Sequence, residues 1–161
     1  MKKIIEKNAL KKKLEKLRRE GKKIAFTNGC FDILHVGHIR YLREAKKTAD
    51  ILVLALNSDS SVRAIKGNKR PLTCEGERAE ILAALEFIDF VTIFEETTPL
   101  ELIIDLKPDV LIKGGDWPEE KVVGREEIKK WGGRVAIIPE ILGKSTTNIV
   151  EKIKKMYFPN E

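Results

Sequence analysis

His35 and His38 are the only two histidines in the chain, and they sit three residues apart with Gly37 between them. An imidazole has an unperturbed pKa of about 6.5, so it can meet a phosphate oxygen as a neutral or a charged donor. At i and i+3 of a helix start, the two rings share one face. A helix N-terminus also presents free backbone N–H groups and the positive end of the macrodipole, which together favour phosphate. Gly37, lacking a Cβ, lets a bulky anion come close. Two separate helix-start histidines would explain either position alone, but not both in one four-residue window. A zinc site would need further Cys, His or carboxylate ligands at suitable spacing, and the chain has no CxxC or HExxH arrangement. The pattern predicts a cradle for a polyphosphate, its charge favouring protonated imidazole.

The elements that must position the pair are legible on both sides. Ile24–Asn28 reads as a first strand, Gly29-Cys30-Phe31-Asp32 as a tight turn, and Val36–Thr48 as the helix. Thr27, Asn28, Gly29, Cys30 and Phe31 then form the strand end and turn that face the phosphates. Cys30 is expected to act through its backbone, and Asp32 either to orient the turn or to serve as an ordinary Asx-type turn residue. Asp50–Asn57 holds the apolar run of a strand buried on both faces. Asn57 and Asp59 mark its end, at the edge of the histidines.

Further strands are read at Phe90–Phe94, Asp109–Lys113 and Arg134–Ile138. Helices are read at about Asn8–Arg19, Glu75–Leu85, after Pro99, around Arg125–Trp131, and from Ser145 to near Lys155. Lys66–Pro71 is read as a loop. Strands alternating with helices imply right-handed crossovers and a parallel sheet covered on both faces, with ligands beyond the strands' carboxyl ends. The predicted class is therefore α/β, a doubly wound five-stranded Rossmann-like sheet with an extra N-terminal helix. Residues 1–21 form that accessory helix and 22–161 the main domain. No strand is followed by GxGxxG, and GxxxxGK[ST] is absent, so neither a dinucleotide turn nor a P-loop is present to hold phosphate.

Ser145-Thr146-Thr147 places three hydroxyls at a helix start, where helix capping and phosphate binding explain them equally well. Lys113-Gly114-Gly115-Asp116-Trp117 is either a plain glycine turn or the wall of a nucleoside pocket. In that pocket Lys113, Gly115 and Asp116 approach the ribose or base. Lys66 and Arg78 could be solvated surface cations in a chain with 31 Lys and Arg.

Composition narrows the partners. The chain has 161 residues, one domain's worth, with 35% charged residues and no Gln; that charge bias is common in thermophile proteins. The net charge of +6 sits largely in the Lys-rich N-terminal segment, and aromatics at 6% are scattered. No row of exposed stacking residues suggests nucleic acid. Two distant cysteines make no disulfide framework. No apolar run nears the ~20 residues of a membrane span, and the N-terminal segment, charged but with no apolar core after it, does not read as a signal peptide. A cytoplasmic protein with no membrane and no nucleic-acid partner is expected.

The run Gly29-Cys30-Phe31-Asp32-Ile33-Leu34-His35-Val36-Gly37-His38 resembles the opening motif of the cytidylyltransferase-like nucleotidyltransferases. From about Lys22 to Lys155 the chain is similar to the adenylyltransferase domain of the ADP-heptose synthases, which acts on D-glycero-β-D-manno-heptose 1-phosphate. The resemblance implies strand order 3-2-1-4-5. It also implies ATP as co-substrate, and Mg2+ bound mainly through phosphates with its protein ligand unknown. By the same resemblance, His35, His38, Lys66, Ser145 and Thr146 carry the reaction, with Thr147 beside them. Lys66 meets the acceptor phosphate, and Arg78 matches a substrate-binding arginine. Asn57 and Asp59 meet sugar hydroxyls. Relatives that use CTP carry an Arg-Thr pair where Glu140-Ile141 stand here, which favours the adenylyl branch. A separate sugar kinase and a homo-oligomer are further implications. The competing readings are transfer from CTP to glycerol 3-phosphate, transfer from ATP to FMN, and a nucleotide- or nucleic-acid-binding module without turnover.

Overall fold

A computed structural model describes residues 2–115, 118–139 and 145–158. Five parallel strands form one sheet in the order β3-β2-β1-β4-β5. They are β1 (Ile24–Gly29), β2 (Ile51–Asn57), β3 (Phe90–Phe94), β4 (Val110–Gly114) and β5 (Arg134–Ile138). The helices among the described residues are α1 (Lys7–Arg19), α2 (Val36–Lys46), α3 (Asp59–Lys66), α4 (Glu75–Ala83), α5 (Leu100–Leu106), α6 (Arg125–Lys130) and α7 (Thr146–Tyr157). Fold class and strand order agree with the sequence reading. One helix was not foreseen: α3 follows β2 directly, so Lys66 is its last residue and not part of a loop.

The apolar run of β2 alternates its side chains between two cores, as the period of a strand requires. Leu52, Leu54 and Leu56 pack with Leu42 and Ala45 of α2 and Ala79 and Leu82 of α4. Val53 and Ala55 pack on the opposite face with Leu10 and Leu14 of α1 and Leu102, Ile103 and Leu106 of α5. The N-terminal helix therefore closes one face of the sheet, and an isolated parallel bridge from Ile4 to Val91 ties its approach to β3.

The sheet is continuous except at one seam. β1 stays paired with β2 from Ile24↔Ile51 to Gly29↔Leu56, and β4 with β5 from Val110↔Arg134 to Gly114↔Ile138. β1 and β4 pair only at Ala25↔Val110 and Phe26↔Leu111, then part. The strand order reverses at this seam, with β2 and β3 added on one side of β1 and β4 and β5 on the other. A crevice opens there, beyond the carboxyl ends of the strands.

Candidate active site

The crevice is a cleft of about 620 Å³. The end of β1 and the turn after it supply Asn28, Gly29, Cys30 and Phe31; α2 then brings His35, Gly37 and His38. Phe31 takes a positive φ of 45°, a conformation that costs a non-glycine residue of order 1–3 kcal/mol and that clusters at functional sites. Gly29 makes this turn compatible with a bulky ring, since a Cβ there would lie 2.8 Å from Phe31 Cε2. The Phe31 ring in turn lies 5.0 Å from that of His38, tilted by 54°.

His35 and His38 stack with ring centroids 3.8 Å apart and planes 26° from parallel. His35 is also the N-cap of α2, and its side chain makes no capping bond, so no side chain of the cap blocks the first amides of the helix. Nδ1 of His38 is buried without a hydrogen-bond partner among the described residues. Burial, then the charge of His35, then that of Lys66 push the His38 pKa down to about 4. At neutral pH His38 is therefore an uncharged imidazole in a positive surrounding. The protonated form expected from the sequence needs an anion alongside it, which reverses the electrostatic contributions.

Ser145, Thr146 and Thr147 line the same cleft as the histidines. Ser145 does cap α7, its Oγ accepting from the Asn148 N–H at 3.1 Å. A hydroxyl that accepts there keeps its proton to donate elsewhere. Thr146 Oγ1 donates to the Ile33 carbonyl at 3.3 Å, tying the start of α7 to the histidine turn. Lys113, at the end of β4, is a further lining residue, and burial lowers its pKa. Burial likewise raises that of the Cys30 thiol, which fits a residue acting through its backbone. Asn57 and Lys66 line the wall formed by β2 and α3.

Four predicted residues stand behind the wall instead of in it. Arg78 is 1% exposed, and its guanidinium donates to the carbonyls of Thr73, Cys30 and Asn57 and to the Asp59 carboxylate. It staples the ends of β1 and β2 to the start of α4 and α3, so it is a scaffold residue, and Asp59 is its partner. Thr27 is fully buried, bonded at 2.6 Å to the Tyr41 hydroxyl. Gly115 is buried and extends the β4–β5 ladder by donating to the Ile138 carbonyl. Asp116 and Trp117 lie outside the described residues, as do Glu140 and Ile141.

Sequence reasoning overlooked Tyr41, Arg70, Thr97 and Thr98, which also line the cleft. Arg70 and the threonines sit in loops whose place depends on contacts distant in sequence, such as the Ser61 hydroxyl donating to the Glu96 carbonyl at 2.7 Å. Asp32 is more than a turn residue. Its carboxylate accepts from Arg70 and from the Leu72 and Thr73 amides.

A doubly wound parallel sheet with an HxGH turn at its seam defines the class: an α/β nucleotide-handling fold. Residues 26–154 match the cytidylyltransferase-like family, and the chain belongs to this family of nucleotidyltransferase enzymes. It is 58% identical over 144 residues to the bifunctional protein HldE of Geobacter metallireducens, covering 89% of this chain and 29% of that one. To the protein of the same name from Syntrophotalea carbinolica it is 55% identical over 155 residues, covering 96% and 32%. The chain thus spans about a third of the length of these curated relatives. A lipopolysaccharide core biosynthesis protein from Thermoplasma volcanium superposes with a TM-score of 0.62 at 32% identity, covering 75% of this chain and 98% of that one. The pantoate-β-alanine ligase of Francisella tularensis shares the fold alone, with a TM-score of 0.58 at 14% identity; the match covers 99% of this chain and 79% of that one. No helix among the described residues is long and apolar enough to cross a membrane.

Proposed function

We propose that this chain transfers AMP from ATP to a sugar 1-phosphate, D-glycero-β-D-manno-heptose 1-phosphate, giving ADP-heptose and pyrophosphate. The observation that carries the reading is the meeting of His35, His38 and the Ser145–Thr147 hydroxyls around one cleft at the seam. The kinship with proteins named HldE, and with one named for lipopolysaccharide core biosynthesis, supports the choice of acceptor.

An oxygen of the sugar phosphate attacks the α-phosphorus of ATP in line, and pyrophosphate leaves from the opposite side. Such chemistry rests on positioning and on stabilising charge, with little covalent work for the protein. The layout of the cleft suits it. Lys66 at the end of α3, Ser145 and Thr146 at the start of α7, and the imidazole pair all line it. Lys66 holds the nucleophile, the hydroxyls hold the leaving pyrophosphate, and His35 and His38 donate to the phosphate oxygens where charge builds. Lys113 and Asp116 are assigned to the nucleoside side.

Mg2+ enters with the nucleotide as part of the substrate. No group of three or more potential ligands exists among the described residues. Asp32, the carboxylate among the described lining residues, already accepts three hydrogen bonds. Among the described residues there is therefore no cage for the ion; the nucleotide phosphates would hold it, with most of its waters kept.

The test is incubation with ATP or CTP against heptose 1-phosphate, glycerol 3-phosphate and FMN, reading pyrophosphate release and product mass. ADP-heptose formation with ATP is the expected result, and selective turnover of another pair would replace the acceptor. His35→Ala and His38→Ala should each lower kcat by ~10²–10³ with the fold intact by circular dichroism. A near-wild-type rate in either would remove the imidazole from the reaction.

A further inference from the structure

The loop between α3 and α4 carries Arg70, to which the adenylyl-transfer reading gives no task. Asp32 sits in the histidine turn and is 8% exposed. One of its oxygens accepts from Arg70 Nη1, and the other from the amides of Leu72 at 2.7 Å and Thr73 at 3.1 Å. A single buried carboxylate thus clamps the loop to the turn and fixes the direction of the guanidinium. Among the described residues Asp32 is the one acceptor of that side chain, out of five N–H donors. The Arg70 side chain is 18% exposed and lines the cleft. Donors are therefore left over at the wall, on a side chain whose rotamer is already set.

Lys66 lines the same wall, and its charge reaches His38. The adenylyl-transfer reading sets Lys66 against the nucleophile, and Arg70 lines the same cleft four residues further on. An anion between Lys66 and Arg70 therefore belongs to the nucleophile.

We propose that Lys66 and Arg70 together bind the acceptor's phosphomonoester dianion, and that Asp32 is a positioning residue that aims Arg70 at it. This rests on the adenylyl-transfer reading for the identity of the acceptor, but not for the existence of an anion site. A planar fork anchored on one edge presents paired donors to a phosphate and loses little freedom on binding.

The experiment compares wild type, Arg70→Gln, Arg70→Lys and Asp32→Asn by steady-state kinetics, with ATP binding followed separately by calorimetry and melting by scanning fluorimetry. Arg70→Gln should raise KM for the sugar 1-phosphate roughly 10- to 100-fold, the span expected for hydrogen bonds to a charged group, with Kd for ATP changed less than twofold. Arg70→Lys should fall between, keeping charge but not the fork. Asp32→Asn retains acceptors for the two amides. It should raise the same KM, and the double variant should be no worse than Arg70→Gln alone. An unchanged acceptor KM in Arg70→Gln, or ATP Kd and acceptor KM rising together, overturns the proposal. So does additivity of the two changes. Calorimetric titration with inorganic phosphate separates the two readings. If wild type turns over no sugar phosphate, adenylyl transfer falls, yet phosphate binding lost in Arg70→Gln sustains the anion site and equal binding removes it.

Discussion

His38 shows how much of the chemistry is set by surroundings that no spacing rule reveals. The HxGH pattern names the residue; the stack on His35, the edge of Phe31 and the burial of Nδ1 decide its charge. Burial holds its pKa at about 4 in the folded chain, against about 6.5 unfolded. The unfolded chain thus takes up a proton that the folded one refuses. Stability due to neutral His38 is complete above pH 6.5, declines as pH falls towards about 4, and levels off below that. Melting curves of wild type and His38→Gln should accordingly converge as pH drops through this window, because the glutamine does not titrate. A constant difference in Tm from pH 7 to 4 would mean that His38 titrates in the fold as it does in the unfolded chain. A bound polyphosphate acts oppositely, so nucleotide binding near pH 6 should draw a proton from solution.

At the scale of elements, the strands were legible because their signals are local. A buried run such as Leu52–Leu56 can only be a central strand, and five of them alternating with helices leave few topologies. The helix α3 was not, for an equally physical reason. It is eight residues long, below the length at which a helix holds itself in water, and it shows only Val62 and Ile65 as an apolar pair. Tertiary bonds supply the rest: the Asp59 amide to Glu75 at 2.7 Å and the Ser61 hydroxyl to the Glu96 carbonyl. Missing α3 also hid the wall that carries Lys66 and Arg70. The seam between β1 and β4 is equally invisible in one dimension. Tyr41 spans it, its hydroxyl bonded to Thr27 Oγ1 at 2.6 Å and to the Ile112 carbonyl at 3.4 Å, the first positions beyond the last paired residues. Its pKa is pushed up to about 12 by burial, so the donor proton stays. Gly114 makes room for the ring, since a Cβ there would stand 3.1 Å from Tyr41 Cε2. Tyr41→Phe should cost about 1 kcal/mol and lower Tm by about 2–4 °C. Amide exchange should quicken at residues 27–30 and 112–115 and not between β2 and β3. Unaltered exchange at the seam would show that the strands keep their separation without the tether.

For the whole molecule, the open matter is what α1 contributes, since its Leu10, Leu14 and Leu17 stripe reads in sequence as an accessory packed on the sheet. Leu10 and Leu14 are fully buried, in one cluster with Ile24, Phe26 and Val53. Arg18 donates to the Leu106 and Lys107 carbonyls, and Lys7 pairs with Asp105, so the helix is fastened to α5 at both ends. Such surface ion pairs add little by themselves; the two leucines carry most of the attachment. Leu14→Ala would leave a cavity among side chains that back β1, the strand leading into the histidine turn. The expected cost is about 2–5 kcal/mol, or a Tm lower by roughly 4–20 °C. No α1 residue lines the cleft, so kcat at 25 °C should stay at the wild-type value as long as the variant is folded. A melting point within a degree of wild type would show that the sheet face is closed without α1. A lowered kcat in a fully folded variant would show that the core behind β1 transmits its packing to the imidazoles.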